Sequence, residues 1–297
     1  MTNGSNVRMR SAPETTAPIV FELPLGAELL VLDRSNAADP WFRVRMDDGR
    51  EGWVLGRLTT AIDAAHYDQT VESIVLAQLK NHSELTGTSF PARVQLFDLI
   101  ERTLRRLTER EAIARFALYR LRSMQDAFAG VPFGGDQRDP YQAWIAEHKE
   151  AARYNEPAGA WMVDPAYVMK VHEQYRDALV ADDIAWFHAR NGLFGECEGD
   201  VPCYVSSMND LEGVYLRTHP RGRHADESTA EIAKGLNSIL KDYLERAPGG
   251  LIEFNPATQC GELRASLDPL RVAVAQSSSA RKDDALAPLD RIARLCQ

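Results

Sequence analysis

His219 and His224 stand five residues apart with Asp226 two further on, and imidazole nitrogens with a carboxylate are donors that a catalytic zinc takes. Such an ion needs three protein ligands, an open position for water and a nearby carboxylate to accept the water's proton. The same stretch, THPRGRHAD at 218 to 226, holds Pro220 and Gly222, which end one helix and let the next begin. Tyr204, Met208, Leu211, Tyr215 and Leu216 before it, and Ile232, Leu236, Ile239 and Leu240 after it, recur at helical spacings. The expectation is a turn between two amphipathic helices, with no metal and no cofactor.

Other catalytic patterns are incomplete. His172-Glu173 opens H-E-x-x-H without its second histidine, and neither G-x-S-x-G nor a phosphate-binding loop occurs. Asp182-Asp183 is too ordinary a pair in an acidic chain to nominate a glycosidase. No catalytic residue is assigned.

Cys197, Cys203, Cys260 and Cys296 all lie in the second half. They are expected to form two disulfides, most simply Cys197 with Cys203 and Cys260 with Cys296, although four cysteines allow three pairings. CEGDVPC is a polar loop that would expose its thiols if reduced, and no C-x-x-C pair suggests a zinc ribbon.

At 297 residues the chain exceeds what one core usually supports, so a multidomain protein is expected. Its net charge is -9, and residues 63 onward hold 27 basic against 35 acidic side chains, which argues against general nucleic-acid binding. No apolar run is long enough for a transmembrane segment, and the opening MTNGSNVRMRSAPE lacks the apolar core of a secretory signal.

Residues 6 to 62 read as short strands. VRMRS, IVFEL, AELLVLD, WFRVRM and REGWVL alternate or run apolar, and Asp48-Gly49 marks a hairpin between the last two. Five or six strands in so short a span predict a small all-β barrel whose near-closure removes most exposed edges. The order N-V-R, L-x-x-G, W-F-x-V, D-G and G-W-V resembles a bacterial SH3-like (SH3b) domain. That resemblance implies an extracytoplasmic, periplasmic or cell-envelope protein from which any signal or lipid anchor has been removed. It also implies recognition of a peptide-like or peptidoglycan ligand in an aromatic groove. Asp39, Trp41 and Trp53 are the candidate ligand-binding residues, because a flat aromatic face stacks on peptide or sugar at low entropic cost.

From Asp63 the period changes to nearly 3.6, predicting an all-α helical domain over 63–297 after the SH3b domain at 1–62. Seven to nine helices and essentially no strand are expected. Thr108 with Glu111 has capping-box spacing, and Asp139, Asp164, Asn255 and Asp268 each precede a proline suited to a first helical turn. GVPFGGDQRDP and YNEPAGAWMVDP read as loops, and the seven arginines between 102 and 122 as a solvated helix face.

Two further resemblances are short. Y-L-x-x-H-P-x-G-x-x-A-D-E, at 215 to 227, is similar to junctions between helical hairpins in tetratricopeptide-like envelope proteins. H-x-x-G-x-x-x-D, at 219 to 226, resembles part of a zinc motif of peptidoglycan peptidases, implying His219 and Asp226 as ligands. His224 stands where that motif has alanine, and no later histidine supplies its H-x-H half. The expected function is therefore non-catalytic recognition of a cell-wall peptide or envelope protein. The alternatives are a peptidoglycan hydrolase with a divergent helical catalytic domain and an inhibitor or immunity-type protein.

Overall fold

Alternation along the first fifty-five residues builds one antiparallel sheet in the computed structural model, which describes residues 1–84, 87–192, 197–244 and 254–297. Its strands are β1 (Val7–Arg10), β2 (Ile19–Leu23), β3 (Leu30–Arg34), β4 (Trp41–Arg45) and β5 (Glu51–Leu55), in the order β2-β1-β5-β4-β3. Val7, Met9, Leu23, Val44 and Val54 point to one face and form its buried core, with Phe21 and Phe42 packed against them. The Asp48-Gly49 hairpin is closed by Met46 N–H to Arg50 O at 2.9 Å, and Gly49 takes a φ of 85° that a side chain would disfavour.

The expected removal of edges is not what the sheet does. β2 and β3 are its outer strands, and Ile19, Val20, Leu30, Val31 and Leu32 are exposed along them. Among the described residues neither outer strand has a second strand partner.

Packing divides the described chain into two compact units. Met1–His148 with Ala160–Met162 form the first, and Lys149–Gly159 with Val163–Gln297 form the second. In the first, the sheet is joined by α1 (Tyr67–Glu84), α2 (Phe90–Leu104), α3 (Arg110–Ala129) and α4 (Tyr141–Glu147). Met1 and Leu25 enter the same buried cluster as Val71, Ile74, Leu96, Leu99, Ile100 and Phe116. Leu25 N–H also donates to Gln95 at 3.0 Å, and Arg102 donates to Leu25 O at 3.0 Å. The change from strand to helix near residue 62 is thus a change of local structure inside one packed unit.

Two short strands, β6 (Ala152–Asn155) and β7 (Ala160–Val163), occupy the segment expected to be loop. Aromatic and β-branched residues there favour extended backbone, and Gly159, at φ 59°, supports the intervening turn. Met162 is buried, whereas Tyr154 is 41% exposed.

The second unit continues with α5 (Pro165–Gln174), α6 (Ala181–Asn191), α7 (Val201–Asp210), α8 (Glu212–Thr218), α9 (Ala225–Leu244), α10 (Pro256–Gln276) and α11 (Lys282–Ala293). Among the described residues the helices outnumber the seven to nine expected, partly because the chain breaks at Leu211 between α7 and α8. Val205, Tyr215, Leu216, Ile232, Leu236, Leu263, Leu270 and Leu289 share its core.

Caps divide the expected from the observed starts. Asp164 and Asn255 accept the N–H groups of Ala166 and Ala257, but α3 is capped by Glu109 rather than Thr108. Pro269 lies inside α10, not at a start, because Leu263, Leu267, Leu270 and Val274 bury one stripe on both sides of it. Cys197–Cys203 and Cys260–Cys296 are disulfide-bonded with sulfurs 2.05 and 1.96 Å apart, leaving no free thiol. No helix of the described residues is long and apolar enough to cross a membrane.

Candidate functional site

The sheet's second face is built by the residues that alternate with its core. β5 turns Gly52 and Val54 inward and Glu51 and Trp53 outward; β4 turns Phe42 and Val44 inward and Arg43 and Arg45 outward. Trp53 pairs directly with Arg43 on one side and with Arg10 of β1 on the other. Cross-strand partners of this kind bring their Cβ atoms to about 5 Å, so the indole lies between two guanidinium-bearing side chains. Glu51 accepts from Arg43 at 2.9 Å and from Arg45 at 2.7 Å. Arg10 donates to Ala17 O at 2.6 Å, tying this face to the 11–18 loop.

Close approach of β1 to β5 depends on Gly52. A Cβ there would stand 2.5 Å from Met9 Cγ and 2.9 Å from Arg10 O.

The three candidate residues occupy different positions. Trp53 is half-buried on the outer face. Trp41 pairs with Leu55, diagonal to Trp53, and is only 7% exposed, so it offers little ring surface to a ligand. Asp39 is exposed in the β3–β4 connection, 3.7 Å from Arg57. Arg10 and Arg43 were not among the candidates, although alternation in VRMR and WFRVR was enough to place them beside Trp53.

The histidines of the second unit lie in a separate cluster. α8 ends at Thr218, His219 caps it, and α9 begins at Ala225, so the intervening residues form a turn. His219 Nε2 lies 2.8 Å from His172 Nε2, a hydrogen bond in which one ring donates and the other accepts. His224 stacks on Trp186 with centroids 5.0 Å apart and its Nε2 is 3.2 Å from Asp183. Asp226 is engaged elsewhere, accepting from Ser279 Oγ at 2.7 Å and Ala280 N–H at 2.9 Å. Tyr215 donates to Asp182 at 2.6 Å and accepts from His224 N–H at 3.0 Å.

Burial dominates the proton affinities here. It pushes His172 and His219 below the ordinary imidazole range, with His219's charge a second cause at His172. Buried His188 is lowered for the same reason, and burial raises Tyr215, assisted by Asp182. Glu212, 5% exposed with Oε2 unpartnered, is pushed up to about 7. The geometry is that of a helix junction held by hydrogen bonds, with Asp182 and Asp183 accepting from Tyr215 and the 223–224 segment.

Residues 5–60 match the family model described as the bacterial SH3 domain. The chain carries a bacterial SH3 domain. The match spans about a fifth of the chain and coincides with β1 to β5 and the turn after them. No curated protein and no solved structure matches the chain significantly. A bacterial SH3 domain suggests a cell-wall or peptidoglycan binding module.

Proposed function

We propose that this is a non-catalytic binding protein of the bacterial envelope, in which the SH3 domain holds a peptide-like segment of the cell wall. The observation that carries the reading is Trp53 between Arg10 and Arg43 on the outer sheet face. An indole supplies a flat apolar surface, while guanidinium groups pair with carboxylates, so together they suit a short peptide bearing free acids. Trp41 supports this surface from its diagonal position, and Asp39 with Arg57 marks its end.

Recognition is assigned to residues 1–62 within the first compact unit, and the helical residues 63–297 are assigned a surface for a second envelope protein. Two disulfides support an oxidising, extracytoplasmic compartment such as the periplasm.

The test is co-sedimentation of the full chain with purified peptidoglycan. Trp53→Ala should lower the bound fraction severalfold, because central aromatic anchors dominate such contacts. Trp41→Ala should act chiefly by lowering stability. Undiminished binding by a folded Trp53→Ala variant overturns the assignment of this face. Release of soluble muropeptides by the wild-type protein overturns the non-catalytic reading.

A further inference from the structure

The first compact unit also holds a cavity that shares no lining residue with the Trp53 face. A cavity of about 420 Å³ opens between α2, α3 and α4, lined by Phe97, Asp98, Glu101, Arg102, Arg105, Arg120, Glu147 and His148. One wall of it is the His148 ring, held in place by ring contacts. His148 meets Phe97 edge-on with centroids 4.8 Å apart and lies 4.4 Å from Trp144, and its Nδ1 is 2.8 Å from Trp144 O.

The charges around that wall differ in how they are used. Arg120 pairs with Glu101 and also lies over the Phe97 ring at 5.5 Å. Arg102 spends one nitrogen on Leu25 O. Among the described residues, Arg105, Asp98 and Glu147 make no side-chain hydrogen bond or ion pair. Asp98 is raised from its ordinary range chiefly by lost solvation, which Arg102's charge only partly offsets. A carboxylate in that condition favours the arrival of a cation.

We infer that this cavity binds a small amino-acid-like ligand carrying one carboxylate and a second ammonium group, a diamino acid such as lysine being the simplest member of the class. Arg105 receives the ligand's carboxylate, Asp98 and Glu147 receive its two ammonium groups, and the methylene chain lies against the half-buried His148 ring. One unpaired guanidinium with two unpaired carboxylates is the charge inverse of such a molecule. The volume lies within the roughly 300–1,000 Å³ of ordinary small-molecule sites. A plain dicarboxylate would leave both acids unmatched, and a plain diamine would leave Arg105 unmatched.

Three probes separate these contributions in the full-length protein: L-lysine, norleucine without the side-chain ammonium, and cadaverine without the carboxylate. Binding is read by calorimetry and by the ring resonances of His148. Lysine should bind at least about fivefold more tightly than either truncated probe, the scale of one partly screened ion pair. Arg105→Gln should abolish the preference for lysine over cadaverine, and Asp98→Asn with Glu147→Gln the preference over norleucine. All three residues are exposed, so folding should survive, and the His148 resonances report it directly. Equal binding of all three probes, or unmoved His148 resonances at millimolar lysine, overturns the inference. Because the cavity and the Trp53 face share no residues, Trp53→Ala should leave lysine binding unchanged whatever it does to wall binding.

Discussion

A single buried carboxyl lowers the stability of the second unit as pH rises from mild acid towards neutrality. Glu212 on α8 has its proton affinity raised from 4.5 to about 7 by burial, with Glu231 nearby adding to the shift and Arg190 opposing it. The folded chain therefore holds this proton more tightly than the unfolded chain. The associated stability is present in full below the unfolded value and is lost as pH rises from 4.5 through about 7. Taken at its full size the loss is about 3 kcal/mol. His172, His188 and His219 act in the opposite direction, since burial lowers all three. Their contribution is present above the ordinary imidazole value and is lost as pH falls through the lowered ones. Glu212→Gln should raise stability above neutral pH by up to about 3 kcal/mol and leave it nearly unchanged in mild acid, as read by urea unfolding across pH. An equal shift at all pH values would mean that the carboxyl is not the titrating group.

Elements carry the two places where small changes reach the candidate face. Gly52→Ala forces a Cβ against Met9 and the Arg10 carbonyl, so β1 must draw away from β5, at a cost of about 1–3 kcal/mol. The same displacement separates Arg10 from Trp53, so wall binding should weaken together with stability, whereas a surface change such as Thr15→Ala should alter neither. At α5, Asp164 accepts from Ala166 N–H at 2.7 Å and Tyr167 N–H at 3.3 Å. Asp164→Ala should cost about 1 kcal/mol, with the first turn of α5 gaining amide exchange and α10 unaffected. Much at this scale was legible: alternation placed β1 to β5, and helical spacing placed the buried stripes of α8 and α9. Pro269 misled because a local stop signal lost to a continuous buried stripe, and Glu109 escaped notice because glutamate is an uncommon cap. Arg10 and Arg43 were recoverable from the same alternation that found the strands. The pairing of His219 with His172 was not, since nothing local brings α5 beside the end of α8.

Across the whole chain the covalent staples are unevenly placed. Both disulfides lie in the second compact unit, and the first unit has only non-covalent contacts to hold it. Cys260–Cys296 spans 36 positions and joins the start of α10 to the turn after α11; Cys197–Cys203 spans six. In the chain-entropy view the longer closure stabilises by about 4 kcal/mol and the shorter by about 2 kcal/mol. Replacing Cys260 and Cys296 by serine should therefore reduce stability more than replacing Cys197 and Cys203. Reduction of the wild-type protein should increase amide exchange in α7 to α11 while the sheet and α1 to α3 retain their protection. A sheet that loses protection in step with α10 would show that the two units unfold as one. If it does not, the SH3 face and the cavity near His148 should remain competent to bind in a reducing medium that loosens the distal helices, since neither site contains a cysteine.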